Sequence, residues 1–299
     1  MGTIQIDGST PKITVGNATA EDATILFDGN AQDFYIALDD SADDLLIGLG
    51  STVGSTPAIS IDENLAVKTY GDITMTGTTP VLTIGDAGAE DTAIVFDGNA
   101  QDFYIALDDS ADDLFIGLGS TVGTTPLLSF AEGGGATFKN VGTGDDNPMI
   151  LTLQTSETDM AANDVIGKIA FQAPDEGTGT DAILVSAAIQ ARAEGDHSSS
   201  SNATSLDFMT GASEAAAKKM SLTSAGHLLP ASDDAQDLGS GSLQWRDIYT
   251  GDLNLNNTRT RKNEVDGTSG SWTIQEGLDN LFLLNRVNGK RYKFNLTEV

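Results

Sequence analysis

The chain carries one passage twice. Residues Phe27–Leu45 read FDGNAQDFYIALDDSADDL, and Phe96–Leu114 repeat those nineteen letters at an offset of 69. Between Thr10–Pro57 and Thr79–Pro126, 38 of 48 aligned positions match without an insertion. Most differences keep character, as with Val15 and Ile84, Leu26 and Val95, or Leu46 and Phe115. A fixed period marks serial architecture. A catalytic pocket needs converging, non-equivalent groups, which a near-verbatim copy does not supply. The duplication therefore points to a protein whose task is length or spacing.

Inside each copy the apolar period is two, the period of a strand. Phe34, Ile36 and Leu38 share one face, and Tyr35 and Ala37 the other; Leu45, Ile47 and Leu49 alternate in the same way. Short strands set between Gly, Asp and Asn clusters predict an all-β unit. Further strands are expected at Thr24–Asp28, at Lys12–Val15 with Ala58–Ile61, and at Val81–Ile84 with Leu127–Phe130. Residues 62–78 form a spacer that still carries strand-like letters. A Gly-rich break at Glu132–Asn147 marks a boundary. Beyond it, strands are expected at Met149–Gln154, Ile166–Ala173, Ser205–Met209 and Met220–Leu222, with a loop or short helix at Ala212–Lys219. Ala182–Ala193 alternates like a strand but is Ala-rich enough for an amphipathic helix. Near the end, Ser271–Gln275 precedes Leu281–Val287 and Lys290–Leu296, whose Asn288-Gly289 junction predicts a two-residue hairpin.

Only 39% of residues are apolar and 6% aromatic, too little to fill several thick cores. Thin strand layers are expected instead, and partner chains are a natural way to bury their faces. The formal charge is −29. Residues 1–146 hold 24 acidic side chains against Lys12, Lys68 and Lys139, whereas the tail from Arg246 is nearly neutral. Nucleic-acid binding is disfavoured, because it needs a basic footprint. The absence of cysteine excludes disulfides and thiolate chemistry. Neither a membrane-spanning apolar run nor a secretory signal is visible, so synthesis in the cytoplasm is expected.

Candidate chemistry is sparse. Asp39–Asp44 and Asp108–Asp113 each pack four carboxylates into six residues. That suits a hard cation in composition, but the spacing lacks the calcium-loop pattern, and a solvated turn is the better reading. His197 and His227 stand alone in polar turns, without the partners a metal or a nucleophilic triad requires. No phosphate loop or nucleophile elbow occurs. Trp245, Tyr249, Trp272 and Tyr292 fit either sugar stacking or packing within and between chains, and packing is preferred. Phe34 and Tyr35 are read the same way. No catalytic, cofactor-binding or metal-binding residue is assigned.

Two stretches resemble phage tail-fibre proteins, especially those of marine phages. In Leu228–Leu255, Asp237-Leu238-Gly239 followed by Gln244-Trp245-Arg246-Asp247-Ile248-Tyr249 is similar to a motif widespread near fibre C-termini. In Ile166–Leu229, IAFQA, AAIQARAEGDHSSSSNATSLDFMTG and KKMSLTSAGHLLP resemble a common fibre cassette, with Met220-Ser221-Leu222 and Gly226-His227 at its end. The duplicated DGNAQDFYIALDDSADDLLIGLG is similar to modules of marine phage structural proteins. This resemblance implies a homotrimer with strands interleaved around a threefold axis. Self-cleavage is not expected, because the residues after Tyr249 lack the Ser-Asp junction and downstream Lys of the chaperone domains found in many fibres. No virion-attachment domain is recognisable at the N-terminus.

The expected molecule is an all-β, elongated, non-enzymatic fibre of a phage virion, built of serial short-strand modules and trimeric, with a C-terminal β-hairpin cap. Its expected parts are two β repeat units (1–78, with the spacer, and 79–147), a β-rich cassette (148–230) and a C-terminal region (231–299). Expected partners are two copies of itself, other tail, baseplate or capsid proteins, and a host surface receptor, for which a glycan is a candidate. No cofactor, nucleic acid or membrane insertion is expected. The alternatives are a head fibre or capsid decoration protein and, more remotely, a polysaccharide-binding or depolymerising spike.

Overall fold

The structure, a computed structural model, describes residues 9–173, 183–259 and 261–298. Among them the secondary structure is strand throughout, with no helix. The chain divides into two compact units, Met1–Thr143 and Gly144–Val299.

The first unit holds two five-stranded sheets, one per copy. The first sheet comprises β1 (Ala23–Phe27), β2 (Phe34–Asp39), β3 (Asp44–Leu49), β4 (Pro57–Ile61) and β5 (Val67–Thr69). The second comprises β6 (Thr92–Phe96), β7 (Phe103–Asp108), β8 (Asp113–Leu118), β9 (Pro126–Phe130) and β10 (Ala136–Phe138). Both are antiparallel meanders whose spatial order is the chain order. The spacer thus contributes a strand, β5, to the first sheet.

The second unit also holds two meanders. One comprises β11 (Val165–Gln172), β12 (Val185–Ala193), β13 (Thr204–Thr210), β14 (Ala217–Leu222) and β15 (Leu228–Pro230). The other comprises β16 (Asp252–Asn256), β17 (Ser271–Glu276), β18 (Leu281–Asn285) and β19 (Arg291–Lys293). The helix-or-strand ambiguity resolves as strand over Val185–Ala193, while Ala182 lies outside the described residues. Pairing on both sides explains it: β12 bonds to β11 and β13, and that ladder overrides the helix propensity of alanine.

Three expected strands are absent. Lys12–Val15 and Val81–Ile84 are irregular, each held between a proline and a glycine of positive φ (Gly16 at 99°, Gly85 at 96°) with no strand beside it. Met149–Gln154 is irregular as well. There Leu153 lies against Gly167 of β11 through its side chain, not through backbone pairing. The last hairpin forms, but its turn spans five residues, from Arg286 to Lys290. Asn285 explains the wider loop: its side-chain oxygen accepts from Val287 N (2.9 Å) and Asn288 N (3.1 Å), and its carbonyl from Gly289 N (2.9 Å). Arg286 is meanwhile pinned to β17 through Thr273 Oγ1 (2.8 Å).

The substantial strand–strand contacts among the described residues all lie between hydrogen-bonded neighbours of one sheet. Each sheet is therefore a single layer. A sheet ordinarily buries one face against a second layer. Here the chain covers only part of one face with its own loops and leaves the other open.

Candidate functional site

The register fixes which side chains share a face. In the first sheet the rows Phe27–Phe34–Leu49, Ile25–Ile36–Ile47–Ile59 and Leu38–Leu45–Ile61–Val67 all lie on one side. That side is almost wholly apolar, and most of it is exposed. Phe34 is 52% exposed, whereas Tyr35, the next residue, is 0% exposed. The second sheet repeats the pattern with Phe96–Phe103–Leu118 and Ile94–Ile105–Ile116–Leu128. Eight positions of this face are identical in the two copies, from Ile25 and Ile94 to Leu49 and Leu118. The copies diverge along β4 and β9, where Leu128 and Phe130 stand in the places of Ile59 and Ile61.

The opposite face is closed by the chain itself. Tyr35, Ala37 and Leu46 form its small core with Val53, and Tyr104, Ala106 and Phe115 do so with Val122 in the second copy. The connection after β3 folds back over this face. Leu49 N donates to Thr56 O (2.9 Å), Thr56 Oγ1 donates to Leu49 O, and Gly50 N donates to Asp33 O (2.8 Å). Alternation in the sequence separates the two faces but does not reveal which one this loop covers.

The same division recurs in the second unit. On the sheet from β11 to β15, Ile169, Ile189, Phe208 and Met220 form an apolar row, and Ala191, Leu206, Leu222 and Leu228 another. Its reverse side carries Asp207, which is buried. Asp207 Oδ2 accepts from Arg192 Nε at 2.7 Å, and Asp207 Oδ1 from Ser205 Oγ at 3.3 Å. Arg192 Nη1 donates onward to Asn163 Oδ1 (2.9 Å). The bond to Asp207 raises the Arg192 pKa above its ordinary value. On the last sheet, Leu253, Ile274, Leu283 and Tyr292 share the apolar side. The other side holds a chain of bonds from Arg286 through buried Thr273 to Asn254 (2.8 and 2.6 Å).

The chain exposes 23042 Å². A folded monomer of 31.0 kDa is expected to expose about 12,000 Å².

The carboxylates and histidines singled out from the sequence do not converge on a common site among the described residues. Asp39 closes the β2–β3 turn opposite Asp44, and its Oδ1 accepts from Ser41 N (3.1 Å), Ser41 Oγ (2.8 Å) and Ala42 N (3.3 Å). Asp108 does the same work in the second copy, accepting from Ser110 Oγ (2.7 Å) and Ala111 N (3.2 Å). Among the described residues, no group of three or more His, Cys, Asp or Glu side chains is arranged to hold a metal. His197 donates its backbone N–H to Met160 O (2.8 Å), and His227 sits in the turn closed by Thr223. Trp272 and Tyr292 pack ring to ring at 5.7 Å. Trp245 and Tyr249, in contrast, are 65% and 92% exposed, so the chain itself does not pack them.

One feature escaped the sequence reading. A cavity of about 790 Å³ lies at the strand ends of the last sheet. Leu255, Trp272 and Asn285, which are cross-strand neighbours, line it together with Asp233, Asp234 and the β16–β17 connection. Its lining residues are scattered over more than fifty positions, and five of the fifteen are asparagines of the kind that ordinarily mark turns. No helix among the described residues is long and apolar enough to cross a membrane. No protein-family model matches the chain, and no curated protein matches it.

Proposed function

We propose that this protein is a structural subunit of a phage virion, a tail fibre that serves host attachment and works as a homotrimer. The observation that carries this reading is the open apolar face repeated on four successive single-layer sheets. Faces of this kind are stable when copies cover one another, and a closed symmetric assembly covers them all at once. The duplicated sheets then serve as two segments of a stem, with their acidic turns outward. The final hairpin serves as its cap. The fibre-like motif Asp237–Tyr249 supports the same reading, since its exposed Leu238, Trp245 and Tyr249 are suited to packing between chains.

The test is mass by light scattering joined to particle imaging and immunolabelling. A threefold particle, elongated in images, with antibodies marking the tail and blocking adsorption, is the expected result. Label over capsid faces would assign the chain to head decoration instead. A compact monomer in solution would end the fibre reading.

A further inference from the structure

We infer that the cavity beside the last sheet is a binding site for an uncharged saccharide. The inference deepens the attachment reading and rests on it for its biological setting. Three properties of the lining carry it. First, the charges balance: Arg259 and Arg261 face Asp233 and Asp234 in a chain whose net charge is −29. Arg261 and Asp234 are paired to each other at 3.0 Å, whereas Arg259 and Asp233 make no hydrogen bond or ion pair among the described residues. Arg259 and Asp233, unpaired among the described residues, offer donors and an acceptor to the same ligand without favouring either sign.

Second, three of the five lining asparagines, Asn257, Asn285 and Asn288, are spent on one side only. The side-chain oxygens of Asn257, Asn285 and Asn288 accept from the backbone N–H groups of Gly270 (2.6 Å), Val287 (2.9 Å) and Lys290 (3.0 Å). These bonds fix each amide in place. The three amide nitrogens have no partner among the described residues. Fixed donors of this kind suit hydroxyl oxygens, which accept and donate alike. Third, Leu255, Trp272 and Val287 give the lining an apolar part, against which the carbon face of a sugar ring can lie. Apolar lining with a few fixed polar groups is the usual make-up of a small-molecule site, and about 790 Å³ is within the usual range.

The test uses the full chain carrying Trp245→Phe, so that Trp272 is the only tryptophan reporting. Its fluorescence is titrated with cellotetraose, maltotetraose, mannotetraose and chitotetraose, and with tetragalacturonate as the charged control. The expected result is a saturable change with at least one neutral tetrasaccharide, at least tenfold tighter than with tetragalacturonate. Arg259→Ala and Asp233→Ala are each expected to weaken it fivefold or more while leaving mass and circular dichroism unchanged. Saturable binding by none of the four, tighter binding of the charged control, or indifference to both substitutions would overturn the inference. Saturable sugar binding by a protein that never labels virions would overturn the fibre reading and leave this site standing. A labelled fibre that binds none of the sugars would do the reverse.

Discussion

Tyr35 lies across the sheet from Gly48 with its ring over the glycine, so that a Cβ on Gly48 would overlap the phenol ring and hydroxyl. Tyr104 and Gly117 repeat the arrangement. Each ring fills the space that a side chain on the opposite strand would occupy. Overpacking at such a point costs about 1–3 kcal/mol. Gly48→Ala or Gly117→Ala is therefore expected to lower the melting temperature of the first unit. Tyr35→Phe and Tyr104→Phe are expected to be neutral or stabilising by about 1 kcal/mol, because both hydroxyls are buried without a partner. Thermal denaturation of the four variants measures both signs.

The open faces predict how assembly fails. Ile36 and Ile47 are cross-strand neighbours on the apolar face of the first sheet, both exposed in the single chain. Placing a charge there by Ile36→Asp costs little in an isolated chain but is expected to dissociate or weaken the assembly. Each lost burial removes roughly 2 kcal/mol per chain before the unpaired charge is counted. Sedimentation across a concentration series should show the shift. An unchanged mass would mean that this face is not where copies meet.

Asp207 and Arg192 predict a local weakness in the second unit. Removing one member of a buried pair leaves an uncompensated charge, which typically costs about 3–5 kcal/mol. Arg192 keeps one-fifth of its side chain in solvent, so the lower end applies to Arg192→Ala. The double change Arg192→Met with Asp207→Leu is expected to recover most of that loss. Hydrogen exchange along β12 and β13 reports it without interference from the first unit.

The turn from Asn263 to Thr268 carries a pH signature. Asp266 accepts from Thr268 Oγ1 (2.7 Å), Thr268 N (2.9 Å) and Asn263 Nδ2 (2.6 Å), and the Thr268 hydroxyl bond above all lowers its pKa below the ordinary carboxyl value. A depressed carboxyl contributes order above its unfolded pKa and loses it as pH falls through the lowered folded value. The turn should therefore hold at neutral pH and loosen only in acid below the usual aspartate range. Amide chemical shifts of Thr268 followed through an acid titration should move there. In Asp266→Asn the acid transition should disappear.

Much of the fold was legible because alternation and turn residues agree in each copy. Phe34 to Leu49 reads as a hairpin from its letters alone, and the structure pairs it residue by residue. Lys12–Val15 and Met149–Gln154 read as strands too, yet a strand exists only where an edge is free to pair with it, and that is a tertiary fact. The final turn shows the complementary limit. Asn288-Gly289 marks a reversal, but the loop width is set by Asn285, whose side chain binds the backbone ahead of it. The cavity was beyond reach for a third reason. Asp233, Asn257 and Asn288 are unremarkable singly, and only the packing of distant segments makes them neighbours.

Every sheet takes its strands in chain order, without a crossover. Each ladder joins strands that are consecutive in the chain, so it can form early and at small entropic cost as the chain is made. On the proposed trimeric reading the apolar sides then wait for other copies, which arrive by diffusion. Folding of the backbone and completion of the cores would then be separate events, one set by local sequence and the other by subunit concentration. At low expression the half-finished sheets would be open to mispairing, which the acidic charge of the first unit would oppose by repulsion.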